Sequence, residues 1–401
     1  MKEGPMSRPK KFVRILQEFS LPLLVGVLGG LLAANMAPEW YASYFADHHG
    51  TLPFIINNVF MAFFFGIAAK EITEAALPGG SLNPMKKAMN PLFATLGGVF
   101  GPIGAFVAVI WLQQGAGEYT GTVMDPMRGW GIPTATDIAL AWLVARAVFG
   151  PGHPAINFLL LLAIADDAIG LGIIAIFYGD PANPTNPAWL GLVGVGMAVA
   201  YFLRRMQVSR WQAYIFIAGP ISWAGFTMAH LHSALALVPI VPFLPGPKRD
   251  TGMFVDSEAG VHDEEDHSPL HSFEHELKLF VDLGLFFFAF ANSGVQFAGI
   301  GPMTIAILVA LVVGKTLGVM FFGWLAVKLG FPLPTGMGYK DLGMVGLIAA
   351  IGLTVALFVA GAAFPTDPDL LGQAKMGALF SGIVGLLAVG LGRVFGFKKG
   401  A

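Results

Sequence analysis

Two adjacent carboxylates, Asp166 and Asp167, stand in the middle of the apolar run LLLLAIADDAIGLGIIAIF. A charge at bilayer depth costs roughly 2.5–3.5 kcal/mol on insertion scales, so such a residue persists where it faces a cavity or a partner. Neighbouring residues on a helix point about 100° apart, so both acids can line one cavity without stacking as a parallel pair. Two carboxylates this close in a low dielectric resist being ionised together. A site of this kind holds a proton or trades it for a cation, and hard carboxylate oxygens suit Na⁺ or Li⁺. The competing explanation is a polar contact between helices, which accounts poorly for two adjacent mid-span acids.

Asp137 lies in GIPTATDIALAW. Pro133 can interrupt a transmembrane helix, and the hydroxyls of Thr134 and Thr136 can satisfy the freed backbone groups. A simple proline kink is the alternative. A second interruption is expected in LIAAIGLTVALF, where Gly352 and Thr354 sit mid-span. Two discontinuous helices in corresponding positions point to a midplane site between inverted repeats. Opposed half-helices leave two positive N-termini and two negative C-termini in the lipid interior. Asp137 and Lys315 are the acid and base available to offset them. Lys315, in LVVGKTLGVMF, lies too deep to snorkel easily and needs a carboxylate. Asp166 suits that role, and Asp137 can share it.

Other ionisable residues lie nearer to span ends: Lys70, Glu71, Glu74 and Asp282. His230 and His232, in MAHLHSALALVP, are candidates for pH sensing or ordinary polar contacts. The stretch 246–275 is the one long polar segment, with acids from Asp256 to Glu274 and histidines His262, His267, His271 and His275. It reads as a cytoplasmic loop whose groups titrate together, or as a plain solvated acidic loop.

These residues need a scaffold in the membrane. The chain has 401 residues, 55% hydrophobic and 12% charged, with a mean hydropathy of +0.69. That is too little charge for a soluble surface, and the apolar runs of about twenty residues match a bilayer core of roughly 30 Å. The expected fold is a single all-α polytopic membrane domain over 1–401. Twelve transmembrane spans are expected, at about 12–36, 51–77, 91–113, 131–149, 154–178, 187–203, 211–228, 229–244, 276–292, 301–328, 340–363 and 373–396. With that count, nearly all Lys and Arg fall on one side, from Lys2, Arg8, Lys10, Lys11 and Arg14 through Arg204, Arg205 and Arg210 to Arg393, Lys398 and Lys399. The other side carries Arg128 and Lys375. Both termini are therefore expected in the cytoplasm. A net charge of −2 points to no nucleic-acid partner, and the lack of cysteine excludes disulfides, thiolate catalysis and Cys-ligated metal.

In order and spacing, GWGIPTATDIALA, LAIADDAIG, FFFAFANSGV, VVGKTLGV and IGLTVALF resemble the NhaA sodium/proton antiporter family over about residues 12–396. The resemblance implies a bacterial inner-membrane transporter that exchanges Na⁺ or Li⁺ for protons, with no cofactor. It also implies more than one proton per sodium, hence electrogenic transport by alternating access. Its fold would have twelve helices, with inverted three-helix repeats at 91–178 and 301–396, crossed discontinuous helices at spans 4 and 11, and interface helices over 12–77 and 187–292. Asp167 would be the central cation ligand and proton carrier, and Asp166 its neighbour paired with Lys315. Thr136 and Asp137 would belong to the crossed-helix assembly. Lys70, Glu71, His232, Glu274 and His275 would be the pH-sensing candidates.

Three departures stand out. The family's acid-rich GLEVKRE-like segment reads GIAAKEITEA here, with Ala68 in place of an acid and Glu71 in place of a base. Asn58 replaces an acid in the INDAL-like segment. The segment EWYASYFADHHGT looks too short for the β-hairpin that joins family subunits, so a homodimer stays open as a partner with the hairpin route doubtful. Two other classes compete. An organic-anion symporter with crossed helices would need a membrane-embedded Arg or an amide nest, and no such Arg is left over. An intramembrane aspartyl protease or a prenyltransferase would need a GxGD setting or a DDxxD with basic clamps, and DDAIG supplies neither.

Overall fold

The computed structural model describes residues 21–45, 50–78, 80–82, 85–120, 124–179, 183–246 and 268–397. Among them there is no β-strand, and the chain is a bundle of helices. Six helices are long and apolar enough to cross a bilayer: α2 (Thr51–Ala75), α3 (Ala88–Gly115), α5 (Pro154–Phe177), α6 (Pro187–Arg205), α9 (Pro302–Lys328) and α11 (Pro368–Val394). Three bent pairs raise the count among the described residues to as many as nine. These are α1 (Leu21–Met36) with Pro38–Phe45, bent by 119°; α4a (Pro126–Thr134) with α4b (Ile138–Phe149), bent by 50°; and α10a (Tyr339–Ala349) with α10b (Leu353–Ala363), bent by 49°. Two further helices, α7 (Gly219–Met228) and α8 (Pro269–Asn292), complete the bundle. The chain is thus a multi-pass membrane protein whose outer faces expose large apolar side chains such as Trp111, Phe321 and Leu386.

Two parts of the chain present the same succession of a long helix, a broken helix and a long helix: α3, α4a/α4b and α5, then α9, α10a/α10b and α11. The two leading helices touch backbone to backbone. A Cβ added at Gly97 would run into the backbone of Gly318, and one added at Gly101 into that of Gly314. In lipid no hydrophobic drive separates helices from tails, so close approach of this kind holds them together through packing alone. On the other flank, α1 packs on α8 in the same manner, with Gly26 and Gly30 against the backbone of Phe286 and Phe290.

Three expected elements differ in the structure. Residues 229–244 form no α-helix. They run as 3₁₀ turns at Ser233–Leu235 and Val241–Phe243. Pro239, Pro242 and Pro245 each lack the N–H that a continuous helix needs. The polar segment expected to loop as far as 275 turns helical at Pro269, because the Ser268 side chain caps the first turn by accepting from His271 N. Residues 247–267 of that segment, with its acids Asp256 to Asp266, and the basic residues Lys2 to Arg14, Lys398 and Lys399 lie outside the described residues. Lys375, expected at the outer end of the last span, is buried within α11, which begins earlier than its apolar run.

Candidate functional site

The two helix breaks meet. Between α4a and α4b, residues Ala135 and Asp137 take extended backbone, and Asp137 N donates to Ile351 O in the other break (2.6 Å). A broken helix inside apolar surroundings has orphan N–H and C=O groups that need partners. Here polar side chains supply them. Asp137 Oδ1 accepts from Leu140 N (3.1 Å), capping α4b. Asp137 Oδ2 accepts from the Thr354 hydroxyl (2.8 Å) and from Thr354 N (3.4 Å) at the start of α10b. Ser381 Oγ, on α11, accepts from Gly352 N (3.2 Å).

The carboxyl ends are served by a cation and a hydroxyl. Lys315 Nζ donates to Thr134 O (2.6 Å) and Ala135 O (2.9 Å), the last carbonyls of α4a. The Thr136 hydroxyl lies 3.0 Å from Ala349 O, at the end of α10a, and 2.8 Å from Asp166 Oδ2. Acid thus meets helix N-termini and base meets a C-terminus, as the partial charges of those ends require.

Lys315 also forms an ion pair with Asp166, Nζ to Oδ2, at 2.6 Å, with both side chains fully buried. A π-helical stretch, Ala310–Lys315, ends at this lysine and sets its direction within α9. The local sequence left Asp166 and Asp137 both open as partners of Lys315. The ion pair goes to Asp166, and Asp137 serves the helix ends instead. Asp166 Oδ1 and Asp167 Oδ1 are both buried and have no hydrogen-bond partner. Asp167 as a residue is only partly buried. An apolar cavity of about 390 Å³ lies between α2, α3 and α5, lined from α5 by Ile164, Ala165, Ala168 and Ile169 and by neither Asp166 nor Asp167.

A second charged cluster sits at the end of α2. Lys70 Nζ is fully buried and makes ion pairs with Glu74 (2.7 Å), Glu71 (3.4 Å) and Glu274 of α8. The remaining candidates are scattered. His275 is exposed beside His271. His232 packs its ring on Phe358 of α10b, 4.6 Å between centroids, and accepts from Ala234 N. Asn58 accepts from the Ser233 hydroxyl (2.8 Å). Ala68 is half-buried on α2 and brings no charge to the Lys70 cluster.

The pair of orphan carboxylate oxygens beside an ammonium is a site where a small hard cation and a proton can replace each other. Among the described residues, no group of three or more His, Cys, Asp or Glu side chains is placed to hold a metal ion. A cation here would rest on two carboxylates and neutral oxygens. Sequence reasoning missed Ser381, one hydroxyl among many small residues. It also missed Glu74 as a member of the Lys70 cluster, although the spacing Lys70 to Glu74 is one helical turn.

Comparison with known proteins gives a consistent picture. The family model described as Na+/H+ antiporter 1 matches residues 11–392. The chain is 56% identical over 398 residues to the Na(+)/H(+) antiporter NhaA of Desulfitobacterium hafniense (strain DSM 10664 / DCB-2), covering 98% of both chains. It is 52% identical over 393 residues to the NhaA of Geobacter sulfurreducens, covering 97% of this chain and 99% of the relative. It is 43% identical over 422 aligned positions to that of Jannaschia sp. (strain CCS1), covering 95% and 97%.

Proposed function

The chain belongs to the Na+/H+ antiporter 1 family, and from that premise we propose that Na⁺ and protons compete for Asp166 and Asp167 where its two broken helices meet. The protein is a secondary transporter that exchanges Na⁺ for protons, and it is not an enzyme. The observation that carries the proposed site is the buried Asp166–Lys315 ion pair with two unpartnered carboxylate oxygens beside it. Protonated carboxyls release the cation, and cation binding expels protons. Lys315 holds Asp166 in place and neutralises it until the cation arrives, so that both carboxyls take part in the exchange.

In this reading α3–α5 and α9–α11 are inverted repeats whose discontinuous helices cross at the midplane. In this reading residues 229–244 cross the inner membrane as 3₁₀ turns in place of a helix, and the resulting twelve passes leave both termini in the cytoplasm, as the distribution of Lys and Arg favours. A second element is the Lys70 cluster at the end of α2. That cluster, with Glu71, Glu74 and Glu274 around one lysine, is the pH-responsive element, and His232 beside Phe358 couples to α10b. Exchange of more than one proton per Na⁺ makes transport electrogenic. Each net charge moved is then worth about 2.3 kcal/mol per 100 mV.

The test is ΔpH dequenching in everted membrane vesicles on adding Na⁺, Li⁺ or K⁺ across a range of pH. Dequenching by Na⁺ or Li⁺ and none by K⁺ supports the proposal. No response to any alkali cation at any pH would discard it.

A further inference from the structure

Four glycines at the α3–α9 crossing have no room for a side chain: Gly97 and Gly101 face the backbone of Gly318 and Gly314, and the reverse holds. Gly98 stands among them under no such constraint. A Cβ there would lie 3.5 Å from Val319 Cγ2, 3.6 Å from Lys315 Cε and 3.8 Å from Asp166 Oδ1. Those are ordinary contact distances, so a methyl group fits without moving backbone. Gly98 also lies inside a helix, where glycine is less favourable than alanine. Packing therefore does not explain the glycine.

What the missing side chain leaves open is the space beside Asp166 Oδ1. That oxygen is buried and has no hydrogen-bond partner. A buried carboxylate oxygen without a partner is costly unless something else coordinates or solvates it. Resting on the reading of Asp166 and Asp167 as the ion site, we propose that Gly98 is a specificity-determining residue: it keeps room at Asp166 Oδ1 for one oxygen of the bound ion's coordination shell, a water carried in with the cation. The ion gains a ligand from solvent that no side chain of α3 provides. Na⁺, the larger ion, takes more oxygens than Li⁺, so it depends more on that place.

Gly98→Ala fills the place with a methyl group. Gly98→Ser fills it with a hydroxyl that can stand in for the water. Each is purified, and Na⁺- and Li⁺-driven proton exchange is measured in proteoliposomes beside the parent. Gly104→Ala serves as control: it lies on the same helix and its added Cβ meets nothing within 4 Å. In Gly98→Ala, KM for Na⁺ is expected to rise by about tenfold relative to KM for Li⁺, with the maximal rate kept. Gly98→Ser is expected to recover most of the Na⁺ affinity, and Gly104→Ala to behave as the parent. Equal changes for both ions, or no change in the ratio, overturn the assignment. Loss of both activities in both Gly98 variants overturns it too, since the space then serves the ion pair and not the ion. If the parent exchanges neither ion, it is the underlying site reading that fails, which separates the two outcomes.

Discussion

Asp137 and Thr354 stand on different broken helices, yet the Thr354 hydroxyl donates to Asp137 Oδ2 at 2.8 Å while Asp137 Oδ1 caps α4b through Leu140 N. One carboxylate thus serves the N-termini of two half-helices. Replacing it with alanine strips both caps, each worth about 0.5–2 kcal/mol. Asp137→Ala is expected to lower the thermal unfolding midpoint in detergent clearly. Asp137→Asn, which keeps an acceptor oxygen, is expected to lower it less. Equal midpoints for parent and Asp137→Ala would contradict this account of the breaks.

Asp167 makes no hydrogen bond through its buried Oδ1, so losing its charge costs the fold little. Asp167→Asn should leave the protein folded and abolish Na⁺-dependent proton release in proteoliposomes. A variant that retained full exchange would remove Asp167 from the mechanism.

Lys315 binds three acceptors at once: Asp166 Oδ2, Thr134 O and Ala135 O. Lys315→Met leaves a buried carboxylate unpaired, and breaking a buried pair from one side costs roughly 3–5 kcal/mol. The variant is expected to express poorly or unfold at much lower temperature. Adding Asp166→Asn to it should cost less than the two single effects together, since the charge left stranded is then gone. Strict additivity in that cycle would mean the two residues do not interact.

The Lys70 cluster leads to a prediction with a sign. Lys70→Met leaves Glu71, Glu74 and Glu274 buried with no ammonium among them. Protonated, the three carboxyls are neutral; ionised, they repel in a low dielectric. The folded variant then holds more protons than the unfolded chain, so its stability falls as pH rises and recovers as pH falls. Thermal unfolding at a series of pH values reads this directly. The parent, whose ammonium offsets the ionised form, should fall less steeply, and parallel profiles would refute the argument.

The deep charges were legible in the sequence because lipid makes them expensive. Asp137, Asp166, Asp167 and Lys315 stand out from apolar runs on cost alone. Their pairing was not legible. Both acids near Lys315 were open choices, and it is the tertiary fold, which brings α5 to α9 at this point, that gives the ion pair to Asp166. Glu274 joins Lys70 from two hundred residues away, a contact that no local pattern encodes. Residues 229–244 misled through composition: they are apolar enough for a helical span, but Pro239 and Pro242 break the ladder of a continuous α-helix. The start of α8 had a visible signal in Ser268–Pro269, masked by the polar character of the segment before it.

The glycine seam between α3 and α9 has a mechanical meaning. With no side chains between the two backbones at Gly97–Gly318 and Gly101–Gly314, there is nothing at the crossing to repack into a second arrangement. On the alternating-access reading the two helices would act as one beam, with Lys315 on it and Asp166 of α5 held against it by the ion pair. On that same reading, a swing that turned the acids from one face of the bilayer to the other would carry α3 and α9 together, and the slack would lie elsewhere in the bundle.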